Sequence, residues 1–168
     1  IVDEEADTSE APPTGQVLLE SERCLADARA ARRWFVLRLA GIYGPGRHYL
    51  LDQLRDDSGP IPGRGDYSMN MIHRDDAVAA ILCALSADAP SGIYNICDCD
   101  PCLKEEVLCY LAAKLGLPAP SFDPSQISAR LKRRGGRMPD RRISNDKALN
   151  LLGWAPEYPS FREGYAAL

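Results

Sequence analysis

The fold is constrained most by a near-continuous apolar run at residues 34–40, "WFVLRLA", in which Arg38 is the only charged residue. Residues that favour strands dominate the run, and polar residues do not alternate with them. This pattern is typical of a strand that is covered on both faces, as strands are in parallel sheets. A helix-like stretch at residues 15–33 leads directly into the run, as in the second half of a β-α-β crossover. The sequence therefore predicts an α/β fold, and the first strand of this unit is expected to precede Ile1.

Two more strand–helix units follow along the chain. The stretch "SMNMIH" predicts a short strand before a helix at residues 75–85, and "IYNICD" predicts a buried strand before a helix that ends at Gly116. Further helices are predicted at residues 48–55, at residues 144–153 and at the end of the chain. Open α/β sheets bind ligands at the carboxyl ends of their strands. The ligand site is therefore expected at residues 40–47 and 97–100, where two predicted strands end.

Composition and charge exclude several classes of protein. The 168 residues are 45% hydrophobic and 26% charged, which suits one globular domain or most of one. The net charge of -4 argues against a nucleic-acid partner. No apolar run approaches the roughly 18–20 residues of a membrane span, so no membrane association is expected. The acidic start, "IVDEEADTSE", is unlike a signal peptide, which favours a cytoplasmic protein with free thiols.

The cysteines raise the question of a metal site. Cys97, Cys99 and Cys102 are closely spaced, and Cys109 could be a fourth ligand. The spacing matches no standard zinc or iron–sulfur signature. The same segment is also explained as the end of a strand and the start of a helix. We therefore expect no metal.

Four segments, taken in order, resemble one family. They are "VLRLAGIYGPGR", "MNMIHRDDAVAAI", "GIYNICDCDP" and "GRMPDRRISNDKALNLLGWAPEYPSFREGY". Together they are similar to the C-terminal half of extended short-chain dehydrogenases/reductases, the NAD-dependent epimerase/dehydratase family. The resemblance implies a Rossmann-type parallel sheet, NAD or NADP as cofactor, and a small substrate-binding lobe. The Gly-rich motif G-x-G-x-x-G does not occur in the sequence and is expected upstream of it.

The resemblance also implies a division into domains. Residues 1–47 and 74–100 would belong to the NAD(P)-binding domain, and residues 48–73 and 101–168 to the substrate-binding lobe. Within the first domain, the backbone of Ala40, Gly41 and Ile42 would face the nicotinamide. Tyr43 and Arg47 would point toward the substrate. The alternative for these two residues is a tight Gly-Pro turn with a solvated arginine.

The catalytic pair of the family is not evident in this sequence. In the pattern Tyr-Gly-x-x-Lys-x-x-x-Glu, Gly15 and Glu22 are kept, while Thr14 stands in place of tyrosine and Leu18 in place of lysine. A threonine hydroxyl does not ionise near neutral pH, and leucine supplies no charge. The chain is therefore identified as an atypical member.

The positions typical of nucleotide-sugar enzymes differ as well. An asparagine is replaced by Gly41 and an arginine by Met69, so a diphosphate-sugar would lose an amide and a bidentate phosphate contact. Arg133 and Arg137, in the basic segment 132–142, and Arg47 are candidate replacements. The alternative for the basic segment is a solvated charged loop.

Asn70, His73 and Asp76 form the remaining cluster of candidate site residues. In the first interpretation, His73 is the catalytic proton-transfer group and Asn70 contacts substrate. In the second, the cluster is structural, with Asp76 capping a helix and His73 pinning a strand to it. Both interpretations stay open at this point.

The sequence thus predicts an NAD(P)-dependent oxidoreductase, epimerase or dehydratase that acts on a small sugar-like, hydroxyl or carbonyl substrate. A homodimer is considered as its assembly. The alternative, supported by the missing tyrosine and lysine, is a non-catalytic NAD(P)-binding sensor or scaffold of the same fold.

Overall fold

The structure is a computed structural model that describes residues 1–28, 32–56, 59–86, 88–127, 132 and 140–168. Helices and strands alternate along the chain in a mixed α/β order. The helices are α1 (Pro13–Ala26), α2 (Tyr49–Arg55), α3 (Arg74–Ser86), α4 (Lys104–Lys114), α5 (Asp146–Leu151) and α6 (Phe161–Ala166). The strands are β1 (Phe35–Leu39), β2 (Gly41–Tyr43), β3 (Ile61–Pro62), β4 (Ser68–Met69), β5 (Met71–His73), β6 (Gly92–Ile96), β7 (Cys102–Leu103) and β8 (Phe122–Asp123).

Two parallel strand pairs carry the predicted ligand edge. Strand β1 pairs in parallel with β6, in a register that runs from Phe35 opposite Gly92 to Leu39 opposite Ile96. Strand β2 pairs in parallel with β5, and its last residue, Tyr43, lies opposite His73. Parallel pairing confirms the α/β fold predicted from the apolar run, and it brings the carboxyl ends of the paired strands together.

Two short pairs were not predicted. Strand β3 pairs in parallel with β8, and β4 pairs antiparallel with β7. The helix expected directly after Asp100 begins only at Lys104, because Cys102 and Leu103 pair with β4 first. Strands of two residues carry too little periodicity to be recognised in a sequence.

The buried apolar side chains form two clusters. The first, the tyrosine core, consists of Tyr43, Leu50, Ile61, Met71, Cys102, Val107, Leu108, Leu111, Phe161 and Tyr165. The second, the sheet core, consists of Ile72, Ala77, Ala80, Ala84, Ala89, Tyr94, Ile96, Ala148, Leu152 and Trp154. Both clusters combine residues of the central strands with residues of the C-terminal helices or the loop between them. The C-terminal part of the chain therefore packs onto the strands near their carboxyl ends.

Helix α1 is attached differently from the others. None of its residues is buried, and Val17 and Leu18 are 63% and 66% exposed. Its link to the sheet is a bidentate ion pair, in which Arg38 of β1 donates to both carboxylate oxygens of Glu22, at 2.9 and 2.6 Å. The helix ends at Ala26, earlier than the predicted residue 33. Within the described part of the chain, no helix combines the length and apolarity needed to cross a membrane.

Candidate functional site

The site begins where β1 ends. The N–H of Ala40 donates to the carbonyl of Ile96 at 3.0 Å, and the N–H of Gly41 donates to the carbonyl of Asn70 at 3.0 Å. These two bonds place residues 40–42 between the end of β6 and the start of β5. Ala40 and Ile42 are half-buried, whereas Gly41 is exposed and has no side chain to cover its backbone. The predicted cofactor-facing residues thus lie together at the carboxyl edge.

A tight turn follows β2. Gly44 and Arg47 exchange backbone hydrogen bonds at 3.3 and 2.9 Å, which closes a turn through Pro45 and Gly46. Gly46 has a φ of 77°, a left-handed conformation that favours glycine. Arg47 is exposed, and its Nε donates to the carbonyl of Ile42 at 3.1 Å. The turn therefore holds the guanidinium beside the cofactor-facing residues.

Tyr43 lies beneath this surface. It is fully buried, and its ring stacks on that of Tyr165 with a centroid distance of 4.6 Å. Its hydroxyl donates to the carbonyl of Ser160 at 3.4 Å. Burial, and secondarily the charge of Asp98, raises the pKa of the Tyr43 phenol far above its ordinary value. Tyr43 remains a neutral hydroxyl that holds the C-terminal part of the chain.

His73 lies beside Tyr43 and is 2% exposed. Its ring packs between Tyr43, at a centroid distance of 5.4 Å, and Tyr158, at 4.2 Å. Its Nδ1 accepts a hydrogen bond from the N–H of Asp75 at 3.4 Å, which leaves Nε2 as the ring nitrogen that can bear a proton. Nε2 is buried without a hydrogen-bond partner in the described part of the chain. The predicted catalytic residue therefore lies in an aromatic enclosure.

Asp76 anchors a distant segment. Its carboxylate accepts hydrogen bonds from the N–H groups of Glu157, at 2.7 Å, and Tyr158, at 3.1 Å. Its backbone carbonyl accepts a third bond from the indole Nε1 of Trp154 at 3.2 Å. Asp76 was considered as a helix cap, yet these contacts join the first turn of α3 to the loop before α6. Residues so far apart in the sequence give no local signal of this contact.

Asn70 holds the end of the basic segment. Its Nδ2 donates to the carbonyl of Arg141 at 2.9 Å, and its Oδ1 accepts from the N–H of Ile143 at 2.7 Å. The amide nitrogen and the amide oxygen of Asn70 thus both bond to the backbone of residues 141–143. The other two predicted substrate residues, Arg133 and Arg137, lie outside the described residues.

Two cysteines of the segment after β6, Cys97 and Cys102, are buried, whereas Cys99 and Cys109 are exposed. Burial raises the pKa of the Cys97 thiol to about 12 and that of the Cys102 thiol to about 12. Both thiols are therefore protonated at neutral pH and poor nucleophiles. The described cysteines are free, and the described residues contain no group of three or more His, Cys, Asp or Glu side chains arranged to hold a metal ion.

Asp98 is a buried acid that the sequence pattern does not single out. It is 2% exposed, and burial raises the pKa of its carboxyl group to about 8. The continuation of a buried strand pattern into "ICD" was the available signal, since the alternation of a strand extended by two residues places Asp98 inside the protein. By contrast, Thr14 and Leu18, at the positions that the resemblance predicts for a catalytic pair, are exposed on α1.

Sequence comparison finds a similar protein that is named a reductase. The chain is 34% identical over 161 residues to a Streptomyces protein named 3-diazoavenalumate denitrifying reductase, in an alignment that covers 90% of this chain and 51% of that protein. No protein-family model matches the sequence.

Solved structures match nearly the whole length of the chain. A conserved protein of unknown function from Silicibacter pomeroyi superposes with a TM-score of 0.85 and 27% identity, covering 99% of this chain and 59% of that one. A structure from Methylobacillus flagellatus, provisionally described as an NAD-dependent epimerase/dehydratase, superposes with a TM-score of 0.73 and 27% identity, covering 99% of this chain and 56% of that one. The solved structures that match the chain over its whole length thus include NAD-dependent epimerase/dehydratase proteins. This likeness confirms the resemblance of the four ordered segments and the Rossmann-type fold.

The chain spans about half the length of the relatives it matches, 51% for the Streptomyces reductase and 56% for the Methylobacillus structure. The matched half contains the carboxyl edge formed by residues 40–42 and the C-terminal segment packed behind it. The geometry of the edge is therefore the part of the family's architecture that this chain supplies.

Proposed function

We propose that the chain forms the nicotinamide-side edge of an NAD(P)-dependent reductase that acts on a small hydroxyl, carbonyl or sugar-like compound. The observation that carries the proposal is the position of Ala40, Gly41 and Ile42 directly after the carboxyl end of the parallel pair β1–β6, where the pair β2–β5 begins. That edge is where open α/β sheets bind their ligands.

The exposed edge at residues 40–42 suits the nicotinamide end of a dinucleotide cofactor. Gly41 is exposed and lacks a side chain, so a flat ring can approach the backbone there. The sequence has no G-x-G-x-x-G loop, so its residues offer the diphosphate no cradle of that type. When bound, the nicotinamide supplies or accepts a hydride, the two-electron step of such reactions. Ala40, Gly41 and Ile42 would orient the ring.

On the substrate side, we assign contact to Arg47, because its guanidinium is exposed next to residues 40–42. Arg133 and Arg137 are proposed as further contacts to an anionic group. Tyr43 and Asn70 are proposed to act by positioning, since the first supports the turn from below and the second holds residues 141–143. His73 is the proposed proton-transfer group, with Nε2 as the proton-bearing atom.

Two observations favour reduction over epimerisation. Thr14 and Leu18 cannot supply the ionisable phenol and ammonium that remove a proton from a substrate hydroxyl. The similar Streptomyces protein is named a reductase. Reduction needs a hydride and a proton at the acceptor, and the proton can come from His73 or from water. An acidic phenol is not required for that direction.

The test is binding and turnover of NADH and NADPH by two matched glycine variants. A Cβ at Gly41 would meet the carbonyl oxygen of Asn70 at 3.2 Å and cover the edge, whereas a Cβ at Gly92, at the opposite end of β6, meets nothing closer than 3.6 Å. Gly41→Ala is expected to weaken cofactor binding about tenfold or more, and Gly92→Ala to leave it unchanged. Equal behaviour of the two variants would contradict the proposal.

The alternative is a non-catalytic NAD(P)-binding sensor, favoured by the same Thr14 and Leu18. Tight cofactor binding without oxidation of NADH or NADPH, across a panel of carbonyl compounds and the diazo substrate class named for the Streptomyces relative, would support it. A homodimer stays a prediction, to be tested by sedimentation of the purified protein.

A further inference from the structure

A buried carboxyl group that the proposed reaction does not use lies at the end of β6. Asp98 is 2% exposed, and neither of its carboxylate oxygens has a hydrogen-bond partner of ordinary geometry among the described residues. The N–H of Asp100 favours the charged form of Asp98, but it lowers the pKa by less than burial raises it. A buried carboxylate without donors is very unfavourable, and such a group takes up a proton instead.

The groups around Asp98 strengthen this preference. The nearby charges that act on it most strongly are all negative: Asp76 of α3, Asp100 of the following loop and Glu163 of α6. The positive charge of Arg162, also on α6, is already paired with Asp100 at 3.0 Å. The other titratable neighbours that sense the charge of Asp98 are neutral in the folded protein: Tyr43 of β2, Cys97 directly after β6 and Cys102 of β7.

Asp76 and Asp98 contrast with each other. Asp76 is as buried as Asp98, but it accepts two backbone hydrogen bonds, from Glu157 and Tyr158. Hydrogen bonds to a carboxylate favour its charged form. Of these two buried acids, Asp98 is the one that lacks donors to stabilise its charged form, and it therefore takes up a proton.

The segment at residues 157–165, here called the C-terminal strap, packs beside Asp98. It is joined to the chain next to Asp98 by a bond from the N–H of Cys99 to the carbonyl of Pro159, at 2.9 Å. At its far end, Tyr165 stacks on Tyr43, and the carbonyl of Tyr165 accepts from Nζ of Lys114 at 2.6 Å. If the strap moved away, water would reach Asp98, Tyr43 and His73 together.

We propose that docking of the C-terminal strap binds one proton, which is carried by Asp98. With the strap docked, Asp98 is a neutral acid; with the strap open, water hydrates its carboxylate and the proton is released. Opening thus becomes easier as the pH rises, and it uncovers the enclosure of Tyr43 and His73. The proposal does not depend on the proposed function, because it concerns the equilibrium of the strap alone.

The sign and size follow from the linkage. Burial raises the pKa of docked Asp98 to about 8, while the open form should titrate near the ordinary carboxyl value of 3.8. Between these two values, each pH unit favours the open form about tenfold, because opening releases one proton. Below about pH 4 and above about pH 8 the dependence should vanish.

The first test is amide hydrogen exchange at Glu157 and Tyr158, whose N–H groups bind Asp76. After correction for the intrinsic pH dependence of exchange, their protection factors are expected to fall about tenfold per pH unit between pH 5 and 7.5. In Asp98→Asn this slope should disappear. It should persist in Asp75→Asn, a matched control that removes a half-exposed carboxylate of α3.

A slope that persists in Asp98→Asn, or protection that is flat in the unaltered protein, would overturn the proposal. The second test needs no variant and remains decisive if Asp98→Asn does not fold. The carboxyl ¹³C resonance of Asp98, assigned through its own backbone, is expected to titrate near pH 8. Titration near pH 4 with the strap still protected would show that the docked strap tolerates the carboxylate, and would refute the proposal.

Discussion

Gly164 offers the sharpest test of the packing between α6 and the sheet. An ideal Cβ at this position would overlap the hydroxyl of Tyr43 and lie 2.7 Å from its Cζ. Tyr43 is fully buried and stacked on Tyr165, so it has no free direction in which to move. Gly164→Ala should therefore force either the tyrosine or the whole of α6 out of place.

The magnitude comes from two opposing effects. Alanine is intrinsically better than glycine inside a helix by about 1 kcal/mol. Overpacking a rigid core costs about 1–3 kcal/mol, and more where backbone must shift. Because the overlap involves a ring with no space around it, we expect overpacking to win. The net loss should be about 1–2 kcal/mol, or a fall in Tm of roughly 2–8 °C for a chain of this size.

Urea unfolding of four proteins measures this effect: the unaltered chain, Gly164→Ala, Tyr43→Phe and the double variant. Loss of the Tyr43 hydroxyl should relieve part of the overlap, so the double variant is expected to be more stable than the sum of the single effects predicts. Gly92→Ala is the control, since its Cβ would make only ordinary contacts. If Gly164→Ala is as stable as the unaltered protein or more so, the arrangement of Tyr43 against α6 is refuted.

Three other perturbations test the remaining contacts. Asp76→Asn should lower the unfolding free energy by about 1.5–3 kcal/mol, because the hydrogen bonds from two backbone N–H groups to the carboxylate are weakened. Chemical unfolding measures this loss, and an unchanged midpoint would contradict the anchor role of Asp76. Folding raises the pKa of Asp98 to about 8, so the folded state holds a proton that the unfolded state has lost. Relative to Asp98→Asn, the unfolding free energy should therefore fall by about 1.4 kcal/mol per pH unit between roughly pH 4 and 8. Parallel pH profiles of the two proteins would refute this. Glu22→Gln should lower hydrogen-exchange protection throughout α1, because α1 has no buried residue and is held by the pair with Arg38. The loss in global stability should be only about 1 kcal/mol, because that ion pair is half-buried. Equal protection in both proteins would show that α1 is held by other contacts.

The sequence predicted the parts of the fold that carry long local patterns. The apolar run at residues 34–40 became β1, and the helix predicted at residues 75–85 became α3. Strand β2 was missed, because its residues, Gly41, Ile42 and Tyr43, directly precede a Gly-Pro turn and were interpreted as a loop. Three residues carry too little alternation to distinguish a strand from a loop.

The candidate site was predicted less completely than the fold. Residues 40–42 were placed at the carboxyl edge because the position of a strand end follows from topology. The enclosure of Tyr43 and His73 could not be predicted in the same way. It depends on contacts with Ser160, Tyr158 and Tyr165, which are more than 80 positions away in the sequence. Such contacts are set by tertiary packing, which local periodicity does not encode.

Asp76 illustrates the same limit. Its place near the start of a helix is typical of a cap, and that local pattern suggested the structural interpretation. The carboxylate instead accepts from residues 81 and 82 positions away in the sequence. The prediction that this cluster has a structural function is compatible with these contacts, but the contacts themselves arise from the docked C-terminal strap.

The central claim is that residues 40–42 form the nicotinamide-facing edge of the protein. The most direct measurement is an NMR titration of the ¹⁵N-labelled protein with NADH and, separately, with NADPH. The account predicts saturable shifts of the amides of Ala40, Gly41 and Ile42, together with Arg47, and no shift of Gly92 at the opposite end of β6. Binding that leaves residues 40–47 unshifted, or no saturable shift with either cofactor, would contradict it.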